Sequence, residues 1–207
     1  MLIDHGEQPR AVLLLGHGAG GGPQAPDLAL LARRLPPFGV TVVRVEQPWR
    51  LAGRKVAVRP PLLDEAWLEL VAAPPWGDLP GVSGGRSSGA RVACRTAAVT
   101  GVVGVVCLAF PLHLPGRPER SRVAELLAPT VPRLVLQGSR DTFGGTEEVR
   151  AAVAGAPGVQ LVELPGADHS FGLPRTSAFT PADLRERLVA EVLAFLGRVV
   201  PVMSGRE

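Results

Sequence analysis

The segment Gly85-Arg86-Ser87-Ser88-Gly89 fits the pattern G-x-S-x-G. A serine hydroxyl becomes a usable nucleophile where a strand turns sharply into a helix. The tight turn presents the hydroxyl at the sheet edge, the flanking glycines avoid clashes, and the helix N-terminus favours a developing negative charge. A second match, Gly81-Val82-Ser83-Gly84-Gly85, overlaps the first, but only more glycine follows Ser83. The helical run 90–99 follows Gly89, so context selects Ser87. The residues ahead of the turn, Asp78-Leu79-Pro80-Gly81-Val82-Ser83, suit a central strand poorly. Either that strand is short and starts near Val82, or the turn departs from its usual geometry.

A serine needs a base, and the base needs an acid to orient it. The chain has four histidines, His5, His17, His113 and His169. His169 follows the final apolar run through Leu164-Pro165-Gly166-Ala167-Asp168, which suits a base on a loop. His5 is close to the chain end, His17 precedes the serine, and His113 lies in an irregular stretch. Asp141, in Leu136-Gln137-Gly138-Ser139-Arg140-Asp141, falls just past another strand end. The order Ser87, Asp141, His169 is the one used when such a constellation is built on a parallel sheet. Asp168 competes with Asp141, but a residue next to His169 in sequence cannot easily reach the far side of its ring. A tetrahedral oxyanion also needs two backbone N–H donors. Ser88 supplies one in this reading. The other comes from the loop His17-Gly18-Ala19-Gly20-Gly21-Gly22, from Ala19 or alternatively Gly20. His17 then supports the loop. The chemistry expected of this set is acyl transfer from an ester or similar small molecule to water.

The same glycine loop admits another reading. Gly16, Gly18 and Gly21 fit G-x-G-x-x-G after a strand, with Glu46 ending the next strand, the layout of a dinucleotide site. Pro23 and Pro26 weigh against it by delaying the helix. A third reading is a non-catalytic interaction protein on an enzyme scaffold.

These side chains are useful only if the chain brings them to one edge. Continuous apolar runs at 11–15, 41–45, 102–110 and 134–136, with 159–164 as a fifth, predict strands buried on both faces. Between them lie helical stripes. Leu28, Leu31 and Leu35 are ended by Pro36 and Pro37, and a second stripe from Leu63 to Val71 is ended by Pro74 and Pro75. Thr146 is expected to cap a helix that stops at Gly155, and Thr180-Pro181 to start a last one. The alternation predicts an α/β fold, a doubly wound, mainly parallel sheet of about six strands in a single domain, 1–207, with its core at about 11–196. The tail 201–207 is expected to be loose. The stretch 111–132, with a short helix at 119–127, is either a small cap over the site, shaping the acyl pocket, or a plain surface connection.

Bulk properties narrow the partners. Of 207 residues, 46% are apolar and 20% charged, the net charge is +3, and 22 residues are basic. All but Lys55 of these are arginine, scattered without a run, so no nucleic-acid partner is expected. The arginines suit either a coding bias on a solvated surface or a weak preference for anionic small molecules. The uncharged stretch 96–116 is broken by Gly101, Gly104, Pro111 and Pro115, so no membrane partner is expected. Cys94 and Cys107 have no C-x-x-C spacing, which predicts reduced core residues, no metal and a cytoplasmic setting. No cofactor is expected.

Four blocks together carry a resemblance. They are Leu15-Gly16-His17-Gly18-Ala19-Gly20-Gly21, Gly84-Gly85-Arg86-Ser87-Ser88-Gly89-Ala90-Arg91-Val92-Ala93, Gln137-Gly138-Ser139-Arg140-Asp141 and Gly166-Ala167-Asp168-His169-Ser170-Phe171. In this order they resemble the dienelactone-hydrolase-like branch of the α/β-hydrolases, and within it small proteins related to testis-expressed protein 30. The resemblance implies a minimal α/β-hydrolase core without the first antiparallel strands of larger relatives. It also implies a Ser87-His169-Asp141 triad in a serine esterase-like enzyme. Dienelactone hydrolases themselves use cysteine, so Ser87 argues against dienelactone chemistry.

Overall fold

The apolar runs become the inner strands of one sheet. In a computed structural model of the chain, which describes residues 1–54, 57–72, 74 and 76–200, six strands run parallel. They are β2 (Ala11–Gly16), β3 (Val40–Val45), β4 (Gly81–Arg86), β5 (Gly104–Leu108), β6 (Arg133–Gly138) and β7 (Val159–Leu164). Every residue of β2, β5 and β6 is buried, as continuous apolar runs require when both faces are covered. A seventh strand, β1 (Leu2–Asp4), pairs antiparallel with β3 at the edge, giving the order β1-β3-β2-β4-β5-β6-β7. The mainly parallel sheet of about six strands is as expected, and only the expected lack of a leading antiparallel strand is corrected. Three residues carry too little periodicity to be read in sequence. β1 is fixed by a tertiary contact, the Arg44 guanidinium donating to Asp4 Oδ2 at 2.9 Å.

Helices α1 (Pro26–Arg34) and α7 (Pro181–Val199) cover one face with the largest apolar cluster. Helices α3 (Pro60–Ala72), α4 (Ser88–Thr100), α5 (Val123–Leu127) and α6 (Thr146–Ala152) pack on the other, while α2 (Pro48–Leu51) is a single turn that buries Trp49. Thr180 caps α7 as expected, accepting from the Asp183 N–H in a capping box with Pro181 at the first position. Several boundaries differ, and α6 ends at Ala152, short of the expected Gly155. Gly145 is the cap residue of α6, and Thr146 is its first helical residue, its hydroxyl donating instead to the Gln137 carbonyl at 3.0 Å. α5 begins only at Val123, short of the expected 119. The expected tail 201–207, Lys55 and Pro75 lie outside the described residues.

β4 starts at Gly81, next to the expected Val82, and runs as a six-residue central strand. Gly81 already pairs with Val12, and Pro80 offers its carbonyl to the Val12 N–H at 3.0 Å. Glycine is needed here for proximity. A Cβ at Gly85 or at Gly89 would collide with the Gly16 carbonyl oxygen, because the start of α4 sits directly on the backbone of β2. Gly89→Ala must therefore push α4 off the sheet. We expect it to cost about 3 kcal/mol or more, the upper range for overpacking. For a chain of this size that is a fall of roughly 6–12 °C in Tm, readable by thermal unfolding. An unchanged Tm would show that the helix can shift freely.

Candidate active site

Strand β2 sits between β3 and β4, so the chain reverses its direction of winding there, and such a switch point leaves a crevice at the carboxyl ends of the strands. Ser87 occupies the turn from β4 into α4 at φ 51°, a conformation that non-glycine residues rarely adopt. Its N–H donates to the Leu108 carbonyl at 3.0 Å, and its carbonyl accepts the Arg91 N–H, which fixes the turn from both sides. Ser83, the other serine in a matching pattern, is buried inside β4.

Asp141 and His169 arrive from the loops after β6 and β7. The Ser87 hydroxyl lies 2.9 Å from His169 Nε2, and His169 Nδ1 lies 2.8 Å from Asp141 Oδ2. Because a carboxylate only accepts, Nδ1 carries the proton and Nε2 is left to accept from Ser87. Asp141 is 4% exposed and is held by two more donors, the Phe143 N–H at 2.8 Å on Oδ1 and Gln137 Nε2 at 3.0 Å on Oδ2. Asp168 turns away from the ring, its Oδ1 accepting the Ser170 and Gly172 N–H groups at 2.8 Å each. It shapes the histidine loop.

His17 is fully buried and outside this relay. The Gln47 N–H donates to its Nε2 at 3.1 Å, so the proton sits on Nδ1 and is given to the Gly18 carbonyl at 2.8 Å. Burial lowers its pKa below the usual histidine value, in keeping with a neutral support for the glycine loop. His113 is the opposite case. It faces acceptors on both nitrogens, Glu148 Oε2 at 2.6 Å and the Leu114 carbonyl at 2.9 Å, and Glu148 raises its pKa.

Four residues that the sequence reading left without a role complete the site. Arg86 donates to Asp27 Oδ2 at 2.7 Å and to the His169 carbonyl at 2.7 Å, and its guanidinium lies 4.7 Å over the Phe171 ring. Asp27 is 6% exposed, and its other oxygen has no partner among the described residues. Phe143 stacks on the His169 ring with centroids 4.2 Å apart. Gln137, fully buried, ties Asp141 to the Phe110 and Gly144 carbonyls. Only an arginine in the variable position of G-x-S-x-G hinted at Arg86; the other three show no sequence signal.

A cleft of about 870 Å³ opens beside Ser87 and His169. The loop from Gly18 to Gly21 forms one wall, with Ala19 and Gly20 both in it. Among the described residues, the N–H groups of Ala19, Gly20 and Ser88 donate to no protein acceptor. The cleft then runs between α1 and α7. No residue of 111–132 lines it, which corrects the expected acyl-pocket wall, and the stretch touches the cleft only indirectly, through the His113 N–H that donates to the carbonyl of the lining residue Phe143 at 3.0 Å. The dinucleotide layout is not reproduced. α1 opens at Pro26, beyond Gly21, and Glu46 is engaged by Arg50 Nε at 3.0 Å. Cys94 and Cys107 are free and buried with sulfurs 3.5 Å apart. Among the described residues no cluster could hold a metal ion, and no helix is long and apolar enough to cross a membrane.

The fold is shared with solved structures. An α/β serine hydrolase without lid from Xanthomonas campestris aligns at 23% identity and TM-score 0.69, over 93% of this chain and 87% of that one. Est1E from Butyrivibrio proteoclasticus with ferulic acid bound aligns at 16% and 0.72, over 93% of each chain. A dienelactone hydrolase from Anabaena variabilis aligns at 18% and 0.68, over 96% and 90%. At these identities the likeness is one of fold. No curated protein sequence matches the chain. Residues 9–197 match the alpha/beta hydrolase domain family, and with the elbow, the parallel sheet and the loop order in place, this chain belongs to that family.

Proposed function

We propose that this protein is a serine hydrolase acting on a carboxylic ester or similar acyl compound. The observation that carries the reading is the unbroken relay from Ser87 Oγ through His169 to Asp141, with spacings of 2.9 and 2.8 Å. Ser87 attacks the acyl carbon and its proton passes to His169 Nε2. Ala19, or Gly20 in its place, and Ser88 donate their free N–H groups to the oxyanion, which supplies the electrostatic stabilisation. His169 then gives the proton to the leaving oxygen, and the alcohol departs from an acyl-Ser87. Water repeats the sequence and frees the acid. Asp141 holds Nδ1–H in place and stabilises the charged ring. The kinship with relatives of testis-expressed protein 30 rests on the four sequence blocks, and a cytoplasmic setting on two buried, unbonded thiols.

The test is labelling with a fluorophosphonate, followed by peptide mapping. The adduct is expected on Ser87 and absent from Ser87→Ala. Equal labelling of both proteins would remove Ser87 from the role, and no labelling with no ester turnover would favour an interaction protein on this scaffold.

Arg86 is a positioning residue in this reading, since it grips the His169 backbone and not a reacting atom. Arg86→Met leaves the Asp27 carboxylate buried without its partner, and a loss of about 3 kcal/mol is expected. The double variant Asp27→Leu/Arg86→Met removes both charges and is expected to regain most of that stability while kcat for an ester stays roughly tenfold or more down, because the histidine loop is unclamped. Urea unfolding and steady-state kinetics on the same samples separate the two effects. Full recovery of kcat with stability would make Arg86 merely structural.

A further inference from the structure

The cleft beyond Ser87 is chemically two-ended. It is walled by the glycine loop, whose Gly18 lies against Ser87, and by apolar residues of two helices, Ala29 and Leu30 on α1 and Leu184 and Leu188 on α7. Two guanidiniums also line it, Arg33, nearly two turns along α1 from the Asp27 that Arg86 holds next to Ser87, and Arg185 on α7, adjacent to the Glu186 that pairs with Arg34. Both are exposed, and neither has a hydrogen bond or ion pair among the described residues. Their sequence neighbours are paired instead: Arg34 donates to both carboxylate oxygens of Glu186 at 2.8 and 2.9 Å, which fixes the spacing of α1 and α7. The other carboxylates of these helices are also engaged. Asp27 is held by Arg86, Asp183 by the Thr180 cap and Glu191 by Arg187. The cleft lining thus holds three guanidiniums against one carboxylate, and two positive charges are uncompensated.

Helix geometry sets the reach. From Asp27, which Arg86 holds beside Ser87, to Arg33 the rise is about 9 Å. An extended chain advances roughly 1.2 Å per bond, so about eight bonds cover that distance. Resting on the hydrolase reading of the same site, we infer that the preferred acyl group is a medium-length aliphatic chain ending in an anion, such as a carboxylate, which Arg33 and Arg185 receive. The aliphatic walls bury the methylenes, and the two cations meet the tail where a neutral chain end would leave them unpaired. A cleft with this charge excess also raises the local concentration of anionic substrate.

The test compares the p-nitrophenyl monoester of octanedioic acid with p-nitrophenyl octanoate, in wild type and in Arg33→Gln/Arg185→Gln. The anionic ester is expected to show a kcat/KM about tenfold higher, the combined worth of two solvent-facing charge contacts. The ratio of the two esters should fall to about one in the double variant, and should shrink as salt is added. A ratio near one in wild type, with the octanoate ester turned over, would overturn the anionic-tail assignment and leave the hydrolase reading standing. A high ratio that survives in the double variant would take Arg33 and Arg185 out of it. Calorimetric titration of free octanedioate distinguishes the remaining cases. Binding that the double variant loses, with neither ester hydrolysed, would sink the hydrolase reading alone, and no binding with no turnover would sink both.

Discussion

Ser87→Ala is expected to lower kcat for ester hydrolysis by about 10⁵–10⁶-fold, the effect of removing a nucleophile whose partners cannot act without it. The residual rate comes from the oxyanion donors and the cleft, which the substitution leaves in place. Stability should change by less than about 1 kcal/mol, because only the hydrogen bond to His169 is lost. Alanine keeps the Cβ, and the turn at φ 51° is held by the Leu108 carbonyl and the Arg91 N–H rather than by the hydroxyl. Kinetics with a short p-nitrophenyl ester, beside a thermal melt, check both halves. A loss of less than about 100-fold would place the nucleophile elsewhere, since other groups rarely substitute for it so well.

Asp141→Asn is expected to lower kcat by about 10⁴-fold with the fold intact. The reason lies in the donors around the carboxylate. Asp141 Oδ1 accepts the Phe143 N–H, and Oδ2 accepts from both Gln137 and His169. An asparagine has one oxygen. Keeping the Phe143 bond turns the amide NH₂ toward His169 Nδ1, which must then accept. The ring shifts its proton to Nε2, and the Ser87 hydroxyl loses its acceptor. The negative charge that stabilises the imidazolium is lost as well. The measurement is kcat beside a near-ultraviolet dichroism spectrum, which reports whether Phe143 and the aromatic packing are kept. A wild-type rate would mean that another group orients His169. Asp168 is poorly placed for that, with its carboxylate committed to two loop amides.

The parallel sheet was legible because its strands are buried on both faces and so read as unbroken apolar runs, as in Ala11–Gly16 and Arg133–Gly138. β4 was the obscure one. Its glycines and the preceding proline look like a loop in one dimension, yet Gly85 is fixed by how near the backbone of β2 must come. β1 was invisible for another reason, since a three-residue edge strand is held by a pair between Arg44 and Asp4, 40 residues apart. Thr146 misled because a threonine before acidic residues looks like a cap, while its hydroxyl is drawn to a strand carbonyl that no local pattern contains.

That Ser87, Asp141 and His169 are candidates to meet at one sheet edge was legible in sequence because each choice is local: a serine at such a turn needs glycines around it, and an acid and a base need strand ends just before them. Which tautomer His169 holds, and that Asp168 is turned aside, required the loops to meet. The same holds for Arg86 and Gln137, whose partners lie as far as 83 residues away. It holds also for the cleft between α1 and α7, which is walled by those helices and not by the 111–132 stretch where the acyl pocket was expected. Residue type and chain order depend on short-range sterics and burial, which a sequence records. Hydrogen-bond partners and the charge balance of a cleft depend on distances between remote segments, which exist only once the chain has folded.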